Sequence, residues 1–508
     1  MPIIPTPITI VRLSFISVLA ILLIACSDKK NDLQTIDYVQ LDKSLLKVEV
    51  LSDSLQVPWD MVVSNDRNLF FTEQYGAVSV INLETNQQRK ILVIPEVWHK
   101  RTAGLLSLTV HPDFKQNPYV YVHYTTKTDS LIYNHLVRYT LKGDTLISPK
   151  ELLKIKGFTA HNGGRLAFSN NGKLLWATGD AYNGDESQDV NFLNGKILRL
   201  NADGGIPSDN PNPKSYVWAR GFRNMQGLTV TDKGYIFTSE HGDAIEDEVN
   251  LIEKDRNYGW PAIEGLHNLP QEIAFAKANH TKEPVKSWTP VIAPSGITYY
   301  GSSAIAEWKN SLLLSTLKAK SLRVLKLDEE GKAITSEEIF FDNHYGRLRD
   351  VCVDADGAVY ISTSNKDWKP QVGFPLAGDD KILKISLTDK ALKKPLLGSK
   401  VSALADTKDK AIDAAQLYQN YCVSCHQADG KGVKGIFPAL AGSNLVNGSS
   451  SNLVKALLKG INRAENPQKM PGFAFLKDDE LAAVMNYIRQ SWGNQAAKVT
   501  EKEIKQNR

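Results

Sequence analysis

Six times between residues 64 and 364 the chain repeats one pattern: a polar turn, then a short apolar or aromatic strand closing near Ser or Thr. The copies are SNDRNLFFTEQ, HPDFKQNPYVYVHYT, SNNGKLLWATGD, TDKGYIFTSEHG, EWKNSLLLSTLK and DADGAVYISTS, centred near Phe70, Val120, Leu175, Ile236, Leu313 and Tyr360. They lie roughly 45–75 residues apart, which is room for a four-stranded sheet and its loops. Further strand segments such as AVSVINL, HLVRYTL, GKILRLN, SLRVLKL and DKILKIS fall between them. Convincing helical periodicity is missing from about residue 46 to 386. A sandwich of irregular hairpins accounts for the spacing less well than radial repetition does. The pattern therefore predicts a mainly β fold, a six-bladed β-propeller over residues 46–388 around a central channel.

Past a Lys-, Ser- and Ala-rich linker at residues 389–410 the period changes. IDAAQLYQNYC places Ala414, Leu417 and Tyr421 on one helical face, SSNLVKALLKGI places Leu453, Leu457 and Leu458, and DDELAAVMNYIRQSW places Leu481, Val484, Met485 and Ile488. Residues 411–495 read as a small all-α domain, followed by a charged tail at 496–508. Inside it, Cys422-x-x-Cys425-His426 matches the attachment motif of c-type haem. Two thiols on one helical turn can add to the two vinyl groups, and the next residue then faces the iron. A zinc half-site would need two further ligands, and the tail has no other Cys or His. Met470, in the loop NPQKMPGF, is the candidate second axial ligand, whereas Met485 lies on an apolar helix face and belongs to the core. CVSCHQADGKGVKGIFPALAGSN, KMPGF and LAAVMNYIRQSW together resemble class I cytochrome c.

The N-terminus bears on location. Residues 8–25 are almost wholly apolar and close on Leu23-Ile24-Ala25-Cys26, which resembles a bacterial lipobox. This implies a signal peptide over 1–25, lipidation of Cys26, and a tether over 26–45. The other reading is a plain transmembrane anchor with an incidental cysteine, and on either the body would be exported and held at a membrane, in the periplasm or at the cell surface. Cys352 is left without a partner, in the strand-like context RDVCVDADG, so it reads as buried and inert. A net charge of +4 with no basic, aromatic-interleaved stripe gives no argument for nucleic acid.

The propeller's chemistry must come from loops meeting at one end of the channel. AHNGGRLAF sets His161 just ahead of a strand, and ARGFRNMQG gathers Arg220, Arg223, Asn224 and Gln226. SEHGDAIEDEVN offers Asp243, Glu246, Asp247 and Glu248, hard oxygen ligands suited to calcium. STLKAK supplies Lys318, and HYGRLRD supplies Arg347 and Arg349. One base, several cations and a divalent-metal loop suit an anionic cofactor with several carboxylates.

HNGGRLAFSNNGKLLWATGD, GFRNMQGL, SEHGDAIEDEVNLIEKDRNYGWP, IAPSGITYYGSSAIAEWKNSLLLSTLK and GRLRDVCVDADGAVYISTS resemble the soluble PQQ-dependent aldose (glucose/sorbosone) dehydrogenases, over about residues 50–387. The resemblance implies a propeller holding pyrroloquinoline quinone over calcium and oxidising the anomeric carbon of sugars to lactones. His161 would be the general base and Arg223 would polarise the quinone oxygens, with Asn224 and Gln226 beside it. Lys318, Arg347 and Arg349 would hold the cofactor's carboxylates. Gly242 and Asp243 fall where the family gives backbone carbonyls to calcium, and Glu248 and Tyr258 match calcium positions of some members. The chain departs from the family at Thr102, where Gln is frequent, at Asp243, where Pro is common, and at Ala160, where the glucose enzyme has an acidic residue. Electrons would pass from the sugar to the quinone, then singly to the haem, then to a downstream cytochrome or oxidase. The competing reading is a propeller that only binds glycan or protein, joined to an electron-carrier cytochrome. A dehydrogenase acting on a non-sugar alcohol is the third.

Overall fold

The computed structural model describes residues 32–243, 245–368, 371, 373–401, 412–433, 437–461, 470 and 472–508. Cys26 and the proposed signal peptide lie outside the described residues.

Six sheets, antiparallel except for the pairing of Gln34–Gln40 with Leu396–Leu397, form the six blades. Their innermost strands are Pro58–Val63, Leu105–Val110, Gly163–Phe168, Met225–Val230, Pro294–Tyr300 and Leu348–Val353. Each of the six repeated motifs supplies the second strand of its blade, for example Asn68–Glu73, Leu174–Thr178 and Val359–Thr363. These second strands are covered on both faces, so they carry nearly continuous apolar runs. Phe70, Leu175, Leu313 and Tyr360 are fully buried between blades.

The ring is closed by strands from the two ends of the propeller segment. Strand Leu45–Ser52 pairs with Ile382–Leu387 of the last blade, and Gln34–Gln40 pairs outside it. The expected tether over 26–45 is corrected here, because Gln34–Gln40 is a strand of the propeller. Its polar composition reflects its place toward the outside of a blade, where only Asp37, Tyr38 and Val39 are buried. The expected free linker at 389–410 is also shorter. Leu396–Leu397 adds to Gln34–Gln40, Ser399–Lys400 pairs with Ile334–Phe340 of the neighbouring blade, and Val401 N–H donates to Glu337 O. Gly398 sits between them because a Cβ there would lie 2.5 Å from the Phe340 ring. One ten-residue helix, Pro270–Asn279, lies between two strands of the fourth blade. It presents no apolar stripe, and Ile273 is exposed, so periodicity gave no sign of it.

The second unit is helical, with Ala414–Tyr421, Ser450–Lys459 and Asp478–Gln490 as its longer helices. Asp413 caps the first by accepting from Gln416 N–H at 3.0 Å. Leu453, Leu457, Leu458, Leu481, Val484, Met485 and Ile488 form its core. In the first helix it is Tyr418, fully buried, that leads into that core, with Leu417 and Tyr421 flanking it. The expected charged tail is corrected too: Glu501–Asn507 is a helix whose Ile504 is fully buried. Ser450 Oγ and Ser451 Oγ hold it by hydrogen bonds of 2.8 Å to Glu503 and Asn507.

Candidate functional site

The inner strands all begin at the same end of the channel, and the second strands all end there. Loops before the first and after the second strand of each blade therefore converge on one mouth. They enclose a cavity of about 290 Å³ lined by His161, Arg223, Asn224, Gln226, Lys318, Arg347 and Arg349. The structure thus brings together every propeller residue named above for catalysis or cofactor binding except Arg220, which ends the strand Val217–Arg220 and lines a separate cavity.

His161 Nδ1 is 3.0 Å from Asp180 Oδ1, at the end of the adjacent strand. That carboxylate also accepts from Trp260 Nε1 at 2.8 Å and from Tyr182 N–H at 2.9 Å. The approach requires Gly179, where a Cβ would lie 2.1 Å from His161 O. Burial, and then the Arg223 charge, push the imidazole below its ordinary pKa. His161 is therefore neutral, with Nδ1 engaged and Nε2 left to the cavity.

Arg223 is fixed by Asp243 at 2.6 Å and lies over the Trp260 ring at 5.4 Å. Asn224 Oδ1 accepts from Gln226 Nε2 at 3.1 Å. Arg347, just before the strand Leu348–Val353, and Arg349, within it, both donate to Asp367 Oδ2, at 2.9 and 2.5 Å. Arg349 also lies 3.8 Å above the Trp59 ring. Two guanidinium groups against one carboxylate leave net positive charge at the mouth, with Lys318 beside it. Two further lining residues carry buried polar atoms without hydrogen-bond partners, Thr102 Oγ1 and His241 Nε2. A planar ligand rich in carboxylate and carbonyl oxygens suits this donor set.

Next to the mouth, Glu240, Glu248 and Glu264 line a small void with Gly242 and Tyr258. Burial raises all three carboxyl pKa values, that of Glu248 to about 7 and that of Glu264 to about 8. Glu240 and Glu248 repel each other, as do Glu264 and Asp243. Carboxylates are the ligands a hard divalent cation takes, but among the described residues no group of three Asp, Glu, His or Cys side chains is arranged to hold a metal ion. Glu248 Oε1 already accepts from Gly265 N–H at 2.7 Å. The Tyr258 hydroxyl is occupied by Leu251 O at 2.7 Å and Glu253 N–H at 2.9 Å, which leaves its carbonyl as its possible donor. Asp243, by contrast, spends its carboxylate on Arg223.

In the helical unit the Cys422–His426 turn follows the first helix directly. Among the described residues no cysteine forms a disulfide. Burial raises the Cys422 thiol pKa to about 12. His426 Nδ1 is 2.9 Å from Pro438 O, which leaves Nε2 as its ligand atom. Met470 pairs with Ile461 through backbone hydrogen bonds of 2.9 and 3.0 Å and packs against the same core as Cys422.

The haem-attachment turn also closes the propeller's cavity. Val423 is one of the cavity's lining residues. Lys318 Nζ donates to Asn420 O at 2.7 Å, two residues before Cys422. Asp180, His241, Trp260, Glu240 and Glu264 escaped the reading of single residues. Each is defined by a partner remote in sequence, although Glu240 and His241 stand inside the SEHGD motif.

Comparison with known proteins agrees with this geometry. Residues 55–370 match the family model for glucose/sorbosone dehydrogenase, and residues 411–492 match that for cytochrome c. An aldose sugar dehydrogenase of Escherichia coli is 30% identical over 335 residues, which is 63% of this chain and 90% of the relative. The solved PQQ-bound aldose sugar dehydrogenase of Streptomyces coelicolor superposes with a TM-score of 0.59 at 29% identity, over 68% of this chain and 98% of that one. The helical unit is similar to the cytochrome c subunit of a quinone alcohol dehydrogenase from Gluconobacter oxydans. There the identity is 37% over 102 residues, 19% of this chain and 21% of the relative. The chain belongs to the glucose/sorbosone dehydrogenase family and carries a cytochrome c domain behind its propeller.

Proposed function

We propose that this protein oxidises an aldose sugar at its anomeric carbon, with PQQ over calcium in the propeller mouth, and passes the electrons to its own c-type haem. The observation that carries this reading is the shared cavity. Val423 of the haem-attachment turn faces the space that His161, Arg223, Lys318, Arg347 and Arg349 enclose. A propeller that only bound glycan would need neither a neutral base nor this cluster of cations beside a haem site.

PQQ, when bound, would supply a hydride acceptor for the sugar's C1–H, and haem would supply a one-electron acceptor. The chain's own residues supply the rest. Asp180 holds His161 with Nε2 toward the cavity, so His161 takes the proton of the anomeric hydroxyl. Lys318, Arg347 and Arg349 would bind carboxylates, while Arg223, steadied by Asp243, would meet carbonyl oxygens. Thr102 Oγ1 and His241 Nε2 would gain the partners they now lack. The carbonyls of Gly242 and Asp243 would hold the active-site calcium, and Glu248 and Tyr258 stand at positions that would hold a calcium as in some members of the family. His426 and Met470 would be the axial ligands of a haem joined to Cys422 and Cys425. The direct test is anaerobic: the chain, loaded with haem, PQQ and calcium, is mixed with glucose and with non-sugar alcohols. The reduced haem band should appear with the aldose. A band that stays oxidised, despite tight glycan binding, would support the binding-module reading.

Calcium gives a second test, through pH. The Glu248 and Glu264 carboxyls have folded pKa values of about 7 and about 8, above the ordinary carboxyl range. The folded state therefore holds more protons than the unfolded one, and stability from these groups is full in acid and lost as pH rises through those values. In calcium-free buffer Tm should fall from about pH 5 to about pH 8 and level off beyond, and added calcium should raise Tm more at the alkaline end. Equal calcium shifts at both ends would remove the carboxylates from the site.

Export and lipidation at Cys26 complete the proposal. No described helix is long and apolar enough to cross a membrane. Mass spectrometry of the mature protein should find an acylated N-terminal cysteine. An unmodified residue at that position would remove the anchor.

A further inference from the structure

His161 is held in its plane by a second residue. The Tyr182 ring lies parallel to the imidazole, with centroids 3.9 Å apart and planes 13° from each other. Phe158 meets Tyr182 edge-on from behind at 5.3 Å. The backbone reaches this position at a conformational cost: Ala181 has φ +50° and Tyr182 φ +62°, and neither is glycine. Three hydrogen bonds hold the turn there. Tyr182 N–H donates to Asp180 Oδ1, Ala181 N–H to His161 O at 3.0 Å, and Asn183 N–H to Asp180 O at 2.9 Å.

The geometry points to Tyr182 as a positioning residue for His161, one that fixes the plane of the imidazole while Asp180 fixes its direction. A single hydrogen bond at Nδ1 leaves the ring free to tilt about that contact. A flat ring against one face removes the tilt and shields that face from water. Oδ1 of Asp180 serves both devices, since it accepts from Tyr182 N–H and binds His161 Nδ1. Nε2 is then offered to the cavity in one orientation only. This inference rests on His161 being the base.

The experiment compares Tyr182→Ala, Tyr182→Leu and Tyr182→Phe in the full chain loaded with haem, PQQ and calcium, with glucose as substrate. Misplacing a reacting group by about 1 Å costs about 100-fold in rate. Tyr182→Ala and Tyr182→Leu should therefore lower kcat by about 10- to 100-fold, with KM moving much less, and Tyr182→Phe should recover most of the loss. Leucine fills the space without a flat face, so it separates plane-setting from simple packing. A readout independent of turnover comes from histidine-selective carbon labelling, with the His161 signal assigned by its disappearance in His161→Gln. Loss of the stacked ring should move that signal downfield and broaden it, while the other nine histidines stay in place. An unmoved signal in Tyr182→Ala, or a Tyr182→Phe chain as slow as Tyr182→Ala, overturns the inference. A wild-type chain that never turns over glucose removes the dehydrogenase reading instead, and the labelled signal then decides the positioning alone.

Discussion

His161→Ala should abolish substrate-driven haem reduction while leaving the haem spectrum unchanged. The base takes a proton as the hydride departs, and a positioned base is worth about 100- to 10,000-fold. Nothing in the cavity replaces it. His241 also lines the cavity, but burial and then the charges of Arg223 and Arg349 lower its pKa to about 3, so it is a far weaker base. Stopped-flow absorbance in the haem band, with the sugar in excess, gives the rate. The pH dependence tests the same residue. Burial and Arg223 place the His161 pKa below the 6.5 of an ordinary imidazole, and the base works unprotonated. The acid limb of kcat/KM should therefore lie on the acid side of that value. Asp180→Asn should move it, because the carboxylate that favours the protonated ring is gone. A His161→Ala chain that reduces its haem at the wild-type rate would defeat the assignment.

The parts of this site legible in the sequence are those that sit inside short motifs. His161, Arg223, Lys318, Arg347 and Arg349 each stand at a strand end, where the repeat pattern itself marks a loop at the channel mouth. Their partners were hidden because contacts across a propeller ignore sequence distance. Asp180 lies 19 residues from His161 and Trp260 a further 80 from Asp180. The fold shows the same division. Second strands of the blades announced themselves through buried apolar runs. Gln34–Gln40, toward the outside of its blade, looked like a tether, and the two-residue strands of the linker are too short to carry a period. The hydrogen bond from Lys318 to Asn420, in the helix ahead of the haem-attachment turn, left no trace in either motif.

The least legible feature should produce the largest effect on stability. Halfway down the channel, Arg165 Nη1 donates to Asp350 Oδ1 at 2.9 Å and to Asp60 Oδ1, with partners 185 and 105 residues away. All three side chains are buried. Asp60 Oδ2 also accepts from Ser107 Oγ and from Leu108 N–H at 3.0 Å, and Asp350 Oδ2 accepts from Met61 N–H at 2.7 Å. One triad thus ties the first, second, third and last blades together across the axis. Arg165 is paired with two carboxylates, and burial, opposed by Arg165 itself, raises the Asp350 pKa well above the ordinary range. Removing the guanidinium leaves these buried carboxyl groups without the cation they share, and breaking one side of a buried pair costs about 3–5 kcal/mol. Arg165→Leu should lower the propeller's Tm by about 5–10 °C for a domain of this size, followed by far-ultraviolet circular dichroism while the haem band reports the other domain separately. Arg165→Leu combined with Asp60→Asn should recover part of the loss, because it removes one of the carboxyl groups left without a cation. An Arg165→Leu chain that melts with the wild type, or a double variant less stable than the single one, would show that the blades are held at the axis by packing alone.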